Sequence, residues 1–206
     1  MAKGSAAVDP AIATVHVPIA DGGDGLFDVF KTVFGGETIT KEVTGPLGKP
    51  VAADILYIPD SKTAVIEMAR ASGLALLKQE ERDARSTTTK GTGELVLEAV
   101  KKGAKKILVG IGGSATNDGG AGAASATGVR FLDRADRALK PGGGALAELV
   151  RIDRSGMSHL LVRADPLIAC DVPHPLTRER GAPAGFGPPK CATPAIVLHL
   201  DPALPR

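Results

Sequence analysis

Residues 107–124, ILVGIGGSATNDGGAGAA, run an apolar strand pattern straight into a glycine-dense loop with Ser114, Thr116, Asn117 and Asp118 at its centre. Glycines let backbone N–H groups approach a phosphate with no Cβ in the way, and a helix starting after the loop adds its positive end. Ser114 and Thr116 can donate hydroxyls. Asn117 and Asp118 can accept, and such an oxygen pair suits Mg²⁺, held directly or through water. The plainer alternative makes Asn117 or Asp118 the N-cap of the following helix. A dinucleotide fingerprint is also present in outline, because Gly110, Gly112 and Ala115 fit G-x-G-x-x-A and Asp133 follows about 20 residues on. That fingerprint needs an unbroken helix, whereas Gly119, Gly120 and Gly122 fall in its first turns here.

Three further clusters carry reactive groups. ADGGDG, residues 20–25, places Asp21 and Asp24 around a glycine pair after an apolar stretch, at the strand end where α/β folds put ligands. Asp21 there could bind a hydroxyl, act as a base or help hold a metal; the alternative is a turn with a helix cap at Asp24. STTTKGTGE, residues 86–94, offers hydroxyls and glycines at a helix start, either an anion contact or an elaborate N-cap. Asp171 in ACDV closes an apolar run, as a catalytic or metal-binding carboxylate or as a plain strand-end residue. His16, His159, His174 and His199 lack ligand spacing, and neither a G-x-S-x-G elbow nor a Walker G-x-x-x-x-G-K-[ST] occurs. The set suits phosphoryl transfer to a small polar substrate.

Elements to position these groups are legible in the hydrophobic pattern. Residues 14–20, 38–43, 51–58 and 63–67 read as strands, 93–102 as a helix ending at Gly103, and 105–112 as a buried strand. Further on, 128–133 reads as a strand, 142–149 as a helix start and 160–172 as a strand ending at Asp171. A helix feeding an apolar strand points to a layered α/β architecture. Residues 1–13 read as an irregular N-terminus and 14–172 as the α/β core. Eight of the 15 prolines lie between Pro173 and Pro205, so 173–206 reads as an irregular tail.

Composition narrows the classes. The 206 residues are enough for a substantial core, and 3% aromatics with no Trp make base-stacking platforms hard to build. A net charge of +2 supplies no field for nucleic acid or an anionic membrane, so neither is expected as a partner. Cys170 and Cys191 have neither metal-ligand spacing nor the density of a secreted scaffold, and no signal or membrane-spanning run is seen; a cytoplasmic protein is expected.

In this order, VPIADGGDG, EVTGPLGKPV, AVIEMARASGL, STTTKGTGELV, GIGGSATNDGGAGAA, GGGALAEL, ACDV and FGPPK resemble the bacterial glycerate kinase family of the glycerate 2-kinase type, across nearly the whole chain. The resemblance implies transfer of the γ-phosphate of ATP to D-glycerate with Mg²⁺, in a cleft between two α/β lobes. It implies nucleotide or phosphate contacts at Gly112, Gly113, Ser114, Thr116 and Asn117, catalytic or metal roles for Asp118 and Asp171, and substrate contacts at Asp21 and Lys190. Family members are about twice this length, as two-domain enzymes are, and open with a PDSFK-like strand not found here. A chain truncated at both ends, with an incomplete two-lobed fold, is the expectation, and an inactive binding or assembly piece the alternative to a working kinase. An apolar face left bare would favour self-association. Within the matched region Asp24 and Leu26 stand for the usual Glu and Thr, Pro173 and His174 for an acidic and Asn pair, Arg178 to Arg180 for a Gly-containing turn, and Pro189 and Cys191 for Gln and Gly.

Overall fold

Alternation of apolar residues sorts the central strands into two faces. The computed structural model describes residues 2–15 and 17–205. Its main sheet has five strands in the order β1 (Glu37–Thr44), β2 (Pro50–Ile58), β3 (Thr63–Glu67), β4 (Lys106–Gly110) and β7 (Asp165–Ala169). Short loops make β1, β2 and β3 antiparallel neighbours, whereas β3, β4 and β7 run parallel. The parallel step from β3 to β4 needs a crossover, and helix α4 (Lys90–Lys102) supplies it. On one face Ile55, Ile66, Ile107 and Val109 meet Leu95, Ala99 and Val100 of α4. On the other, Leu56 and Val65 meet Leu26 and Phe27 of α2 (Leu26–Phe34). Helices on both faces of a mixed sheet make the layered α/β fold expected from the pattern.

Several local expectations change. Among the described residues of 14–20 no strand forms; Val15, Val17 and Ile19 are 88%, 69% and 84% exposed, an alternating run with no ladder beside it. His16 lies outside the described residues. Within 1–13, Ala2–Val8 forms the short helix α1. The run 160–172 is divided between a 3₁₀ turn at His159–Arg163 and β7, so Asp171 stands two residues beyond the strand end. Residues 142–149 give a 3₁₀ turn, Gly143–Glu148. A two-stranded sheet of β5 (Arg130–Leu132) and β6 (Arg151–Asp153) follows α5 (Ala121–Ala126).

The proline-rich tail is also helical, as α6 (Ala182–Phe186), a 3₁₀ turn at Pro188–Lys190, and α7 (Pro194–Leu200). Each begins with proline at its first or second position, where the missing N–H is not required and the fixed φ suits a helix. The Thr193 hydroxyl caps α7 by accepting from the Ile196 N–H. Leu200 is fully buried and packs with Ala84 and Ala192, which fastens the tail to the core.

Candidate active site

The carboxyl ends of β3, β4 and β7 open onto one cleft of about 580 Å³, within the usual size of small-molecule sites. Its lining contains all nine expected site residues: Asp21, Gly112, Gly113, Ser114, Thr116, Asn117, Asp118, Asp171 and Lys190. They reach it from the ADGGDG loop, the loop after β4, the segment after β7 and the tail. The cleft also takes Met68, Leu74, His174 and Phe186. Met68 follows the last residue of β3, so its strand-end position was the available signal. His174 meets the Phe186 ring edge-on at 4.8 Å, a contact that no spacing rule reveals.

Polar atoms of the Gly112–Asp118 loop are heavily committed. The Gly112 N–H donates to Gly22 O at 3.0 Å, and a Cβ on Gly112 would stand 2.4 Å from the Gly23 Cα, so only glycine allows the two loops to touch. The Ala115 N–H donates to Ser72 O, and the Leu74 N–H to Gly113 O. The Thr116 hydroxyl donates to Thr87 O at 2.6 Å, and the Thr87 hydroxyl returns a bond to Ala115 O at 2.8 Å. STTTKGTGE is therefore largely the frame of the loop.

Asp118 is 1% exposed and accepts on both carboxylate oxygens. Oδ2 takes the Thr89 N–H at 2.8 Å and the Gly122 N–H at 3.2 Å, Oδ1 takes the Gly120 N–H at 3.0 Å, and the Thr89 hydroxyl lies within 3.1 Å of both. This is the capping role extended, because one carboxylate serves the amides entering α5 and the Thr89 that starts α4. At ADGGDG the Asp21 carboxylate accepts the Gly23 N–H at 2.9 Å, closing a turn. Asp24 is not the cap of α2; Gly25 holds that position with φ 97°. Asp21 and Asp171 are exposed at the cleft.

Lys190 is the cation of the site and is 6% exposed. Its ammonium donates to Ser114 Oγ at 3.1 Å, Thr116 O at 2.6 Å and Asn117 Oδ1 at 3.0 Å. Burial pulls its pKa from 10.5 down to about 8, against the opposing pull of Asp118. Cys191, standing where the resembled motif has glycine, is held at φ 59°. The turn after Lys190 keeps its left-handed geometry without the residue that adopts it most easily.

A sequence model described as the Glycerate kinase family matches residues 1–206. The chain is 47% identical over 199 residues to a glycerate kinase of Bacillus subtilis (strain 168), covering 97% of this chain and 52% of that protein. It is 45% identical to a glycerate 2-kinase of Escherichia coli (strain K12), with the same 97% and 52% coverage. A crystal structure described as glycerate kinase 2 from Salmonella typhimurium LT2 matches with a TM-score of 0.89 and 43% identity, over 100% of this chain and 56% of that one. The chain spans about half the length of the relatives it matches.

Proposed function

The chain belongs to the glycerate kinase family, and from that premise we propose that its cleft binds Mg-ATP and D-glycerate and transfers the γ-phosphoryl group to a glycerate hydroxyl. The observation that carries this reading is the convergence of four distant segments on one cleft at the ends of parallel strands, around a buried lysine. Phosphoryl transfer asks mainly for positioning and for positive potential where charge gathers. Lys190 supplies the potential. The Ser114 hydroxyl hydrogen and the Asn117 amide N–H₂ remain to meet phosphate oxygens, since both residues use only their oxygens to accept from Lys190.

Mg²⁺, which neutralises charge on the transferred group, prefers oxygen ligands and often takes one or two carboxylates plus substrate phosphates. Asp171 and Asp21 fit that donor set, being exposed carboxylates on the cleft wall. Asp171 is also the residue we assign to receive the proton of the glycerate hydroxyl, and Asp21 the one that binds substrate hydroxyls. Asp118, with both oxygens already accepting, is assigned to holding the loop.

A second reading, a binding piece without turnover, draws support from the bare outer strand β7, whose Leu167 and Ile168 are 52% and 58% exposed. ADP production from Mg-ATP by the purified chain, with and without D-glycerate, separates the two when paired with calorimetric ATP titration. Glycerate-dependent turnover that disappears in Asp171→Ala is the expected result. ATP binding without turnover would favour the second reading, and no binding of ATP at all would overturn the kinase reading and leave only an assembly role for the second.

A further inference from the structure

β3 ends on a charged residue in an otherwise apolar strand. Glu67 is 3% exposed and lies opposite Gly110 in the β3–β4 register, one residue before Met68, which lines the cleft. Its Oε1 accepts the Phe27 N–H at 2.9 Å, a bond that spans 40 residues of sequence. Its Oε2 accepts from Arg70 Nε. The Arg70 guanidinium reaches Asp54 at 3.1 Å and Asp28 at 3.5 Å, and lies 4.3 Å from the centre of the Phe27 ring. Helix α2 has no side-chain cap at Gly25, so the first turn of α2 is capped from β3 instead.

What lies just before that turn is the ADGGDG loop. One side of it is fixed by the Gly112 N–H bond to Gly22 O, and the other end by Glu67 on Phe27. Between these anchors Asp21 lines the cleft, and an Asp24 carboxylate oxygen stands 3.4 Å from the Cβ position of Gly113. A buried carboxylate is expensive unless it is paired and hydrogen-bonded, and an apolar pair in place of both Glu67 and Arg70 would serve stability alone about as well. The charge at this place is explained by what it aims.

We propose that Glu67, supported by Arg70, is a positioning residue that sets the Asp21–Gly25 loop against the Gly112–Asp118 loop and so fixes Asp21 relative to the phosphate-binding side of the cleft. The consequence for glycerate rests on the kinase reading; the positioning itself does not.

Amide hydrogen exchange tests it on the full chain. In Glu67→Leu, exchange at Phe27 and through residues 22–26 rises at least about tenfold while amides of β4 and α4 keep their protection, as for a local opening. Glu67→Gln, which retains an oxygen for the Phe27 N–H, returns Phe27 close to the parent chain. If the leucine variant does not fold, Glu67→Asp, one methylene short of Phe27, carries the same expectation. An unchanged loop in a variant lacking the acceptor, or exchange that rises equally across the chain, overturns the proposal. Where the parent chain turns over glycerate, Glu67→Leu raises KM for glycerate by more than it raises KM for ATP; equal rises in both would count against positioning of Asp21. Absence of turnover in the parent chain bears on the kinase reading alone, since the exchange result stands without it.

Discussion

Lys190 has three N–H donors, and Ser114, Thr116 and Asn117 take all three. Any anion beside it is therefore held by the nearby charge and by the donors that Lys190 orients, more than by a new bond to the ammonium. That makes the interaction sensitive to protonation in an accessible range. With the folded pKa at about 8, the ammonium is mostly charged at pH 7 and mostly neutral at pH 9. Affinity for pyrophosphate, measured by calorimetric titration, should fall by roughly an order of magnitude as pH rises through 8. Lys190→Met should bind weakly at both pH values and lose that step; an unchanged step in the methionine variant would assign it to another group. Stability runs the other way. The unfolded chain holds this proton up to about 10.5, so between 8 and 10.5 it binds more protons than the folded chain, and the Lys190 contribution to stability rises with pH across that window. The burial cost relieved is roughly 3 kcal/mol, at about 1.4 kcal/mol for each pH unit.

At the scale of elements, α4 is placed by what its glycines permit. A Cβ on Gly93 would stand 2.2 Å from Ala123 O and 2.6 Å from the Ala123 Cα, and one on Gly91 would stand 2.1 Å from Thr44 O. Alanine in a helix interior normally gains about 1 kcal/mol over glycine, but here the obstacle is backbone and must move. Gly93→Ala should destabilise by about 2 kcal/mol in urea unfolding and lower pyrophosphate affinity, because the Ala123 N–H donates to the Thr89 hydroxyl that also binds Asp118. A net gain in stability would show that α4 and α5 can separate freely. Much of this element layer was legible: the strands at 38–43, 51–58 and 63–67 match β1 to β3 because two-residue alternation is a local property. What alternation cannot report is whether a partner strand exists, and Val15, Val17 and Ile19 alternate with no strand pairing beside them among the described residues. Proline count also misled at 173–206, since its effect depends on position in a turn and three helical turns carry it at their first or second position. Eight of the nine residues expected at the site stand in glycine- or carboxylate-bearing segments after apolar runs, whereas Lys190 rested on the resemblance alone; all nine line the cleft. Yet the work of Asp118 was hidden, because Thr88 and Thr89 stand about 30 residues away in sequence.

For the molecule as a whole, the uneven cover of its sheet has a consequence in solution. Helices α2 and α4 bury both faces of the central strands, as parallel sheets require, but the cover stops before β7. Leu167 and Ile168 point to opposite faces of that outer strand and are each about half exposed, with Val162 77% exposed just before it and Val172 38% exposed just after. Among the described residues β7 pairs only with β4, so one side of its backbone is an open ladder edge there. An apolar edge with open N–H and C=O groups is a template for another strand, and a net charge of +2 provides little repulsion to keep copies apart. The chain should therefore associate with itself as its concentration rises, seen as a growing weight-average mass in light scattering. Changing Leu167→Lys and Ile168→Lys together places a charge on each face of the edge without touching a cleft residue, and should return the chain to monomer while pyrophosphate binding is kept. If the parent chain is monomeric at every concentration, the β7 edge is not an adhesive surface. If the double variant still associates, the contact lies elsewhere, and the exposed run at Val15, Val17 and Ile19 becomes the next surface to charge.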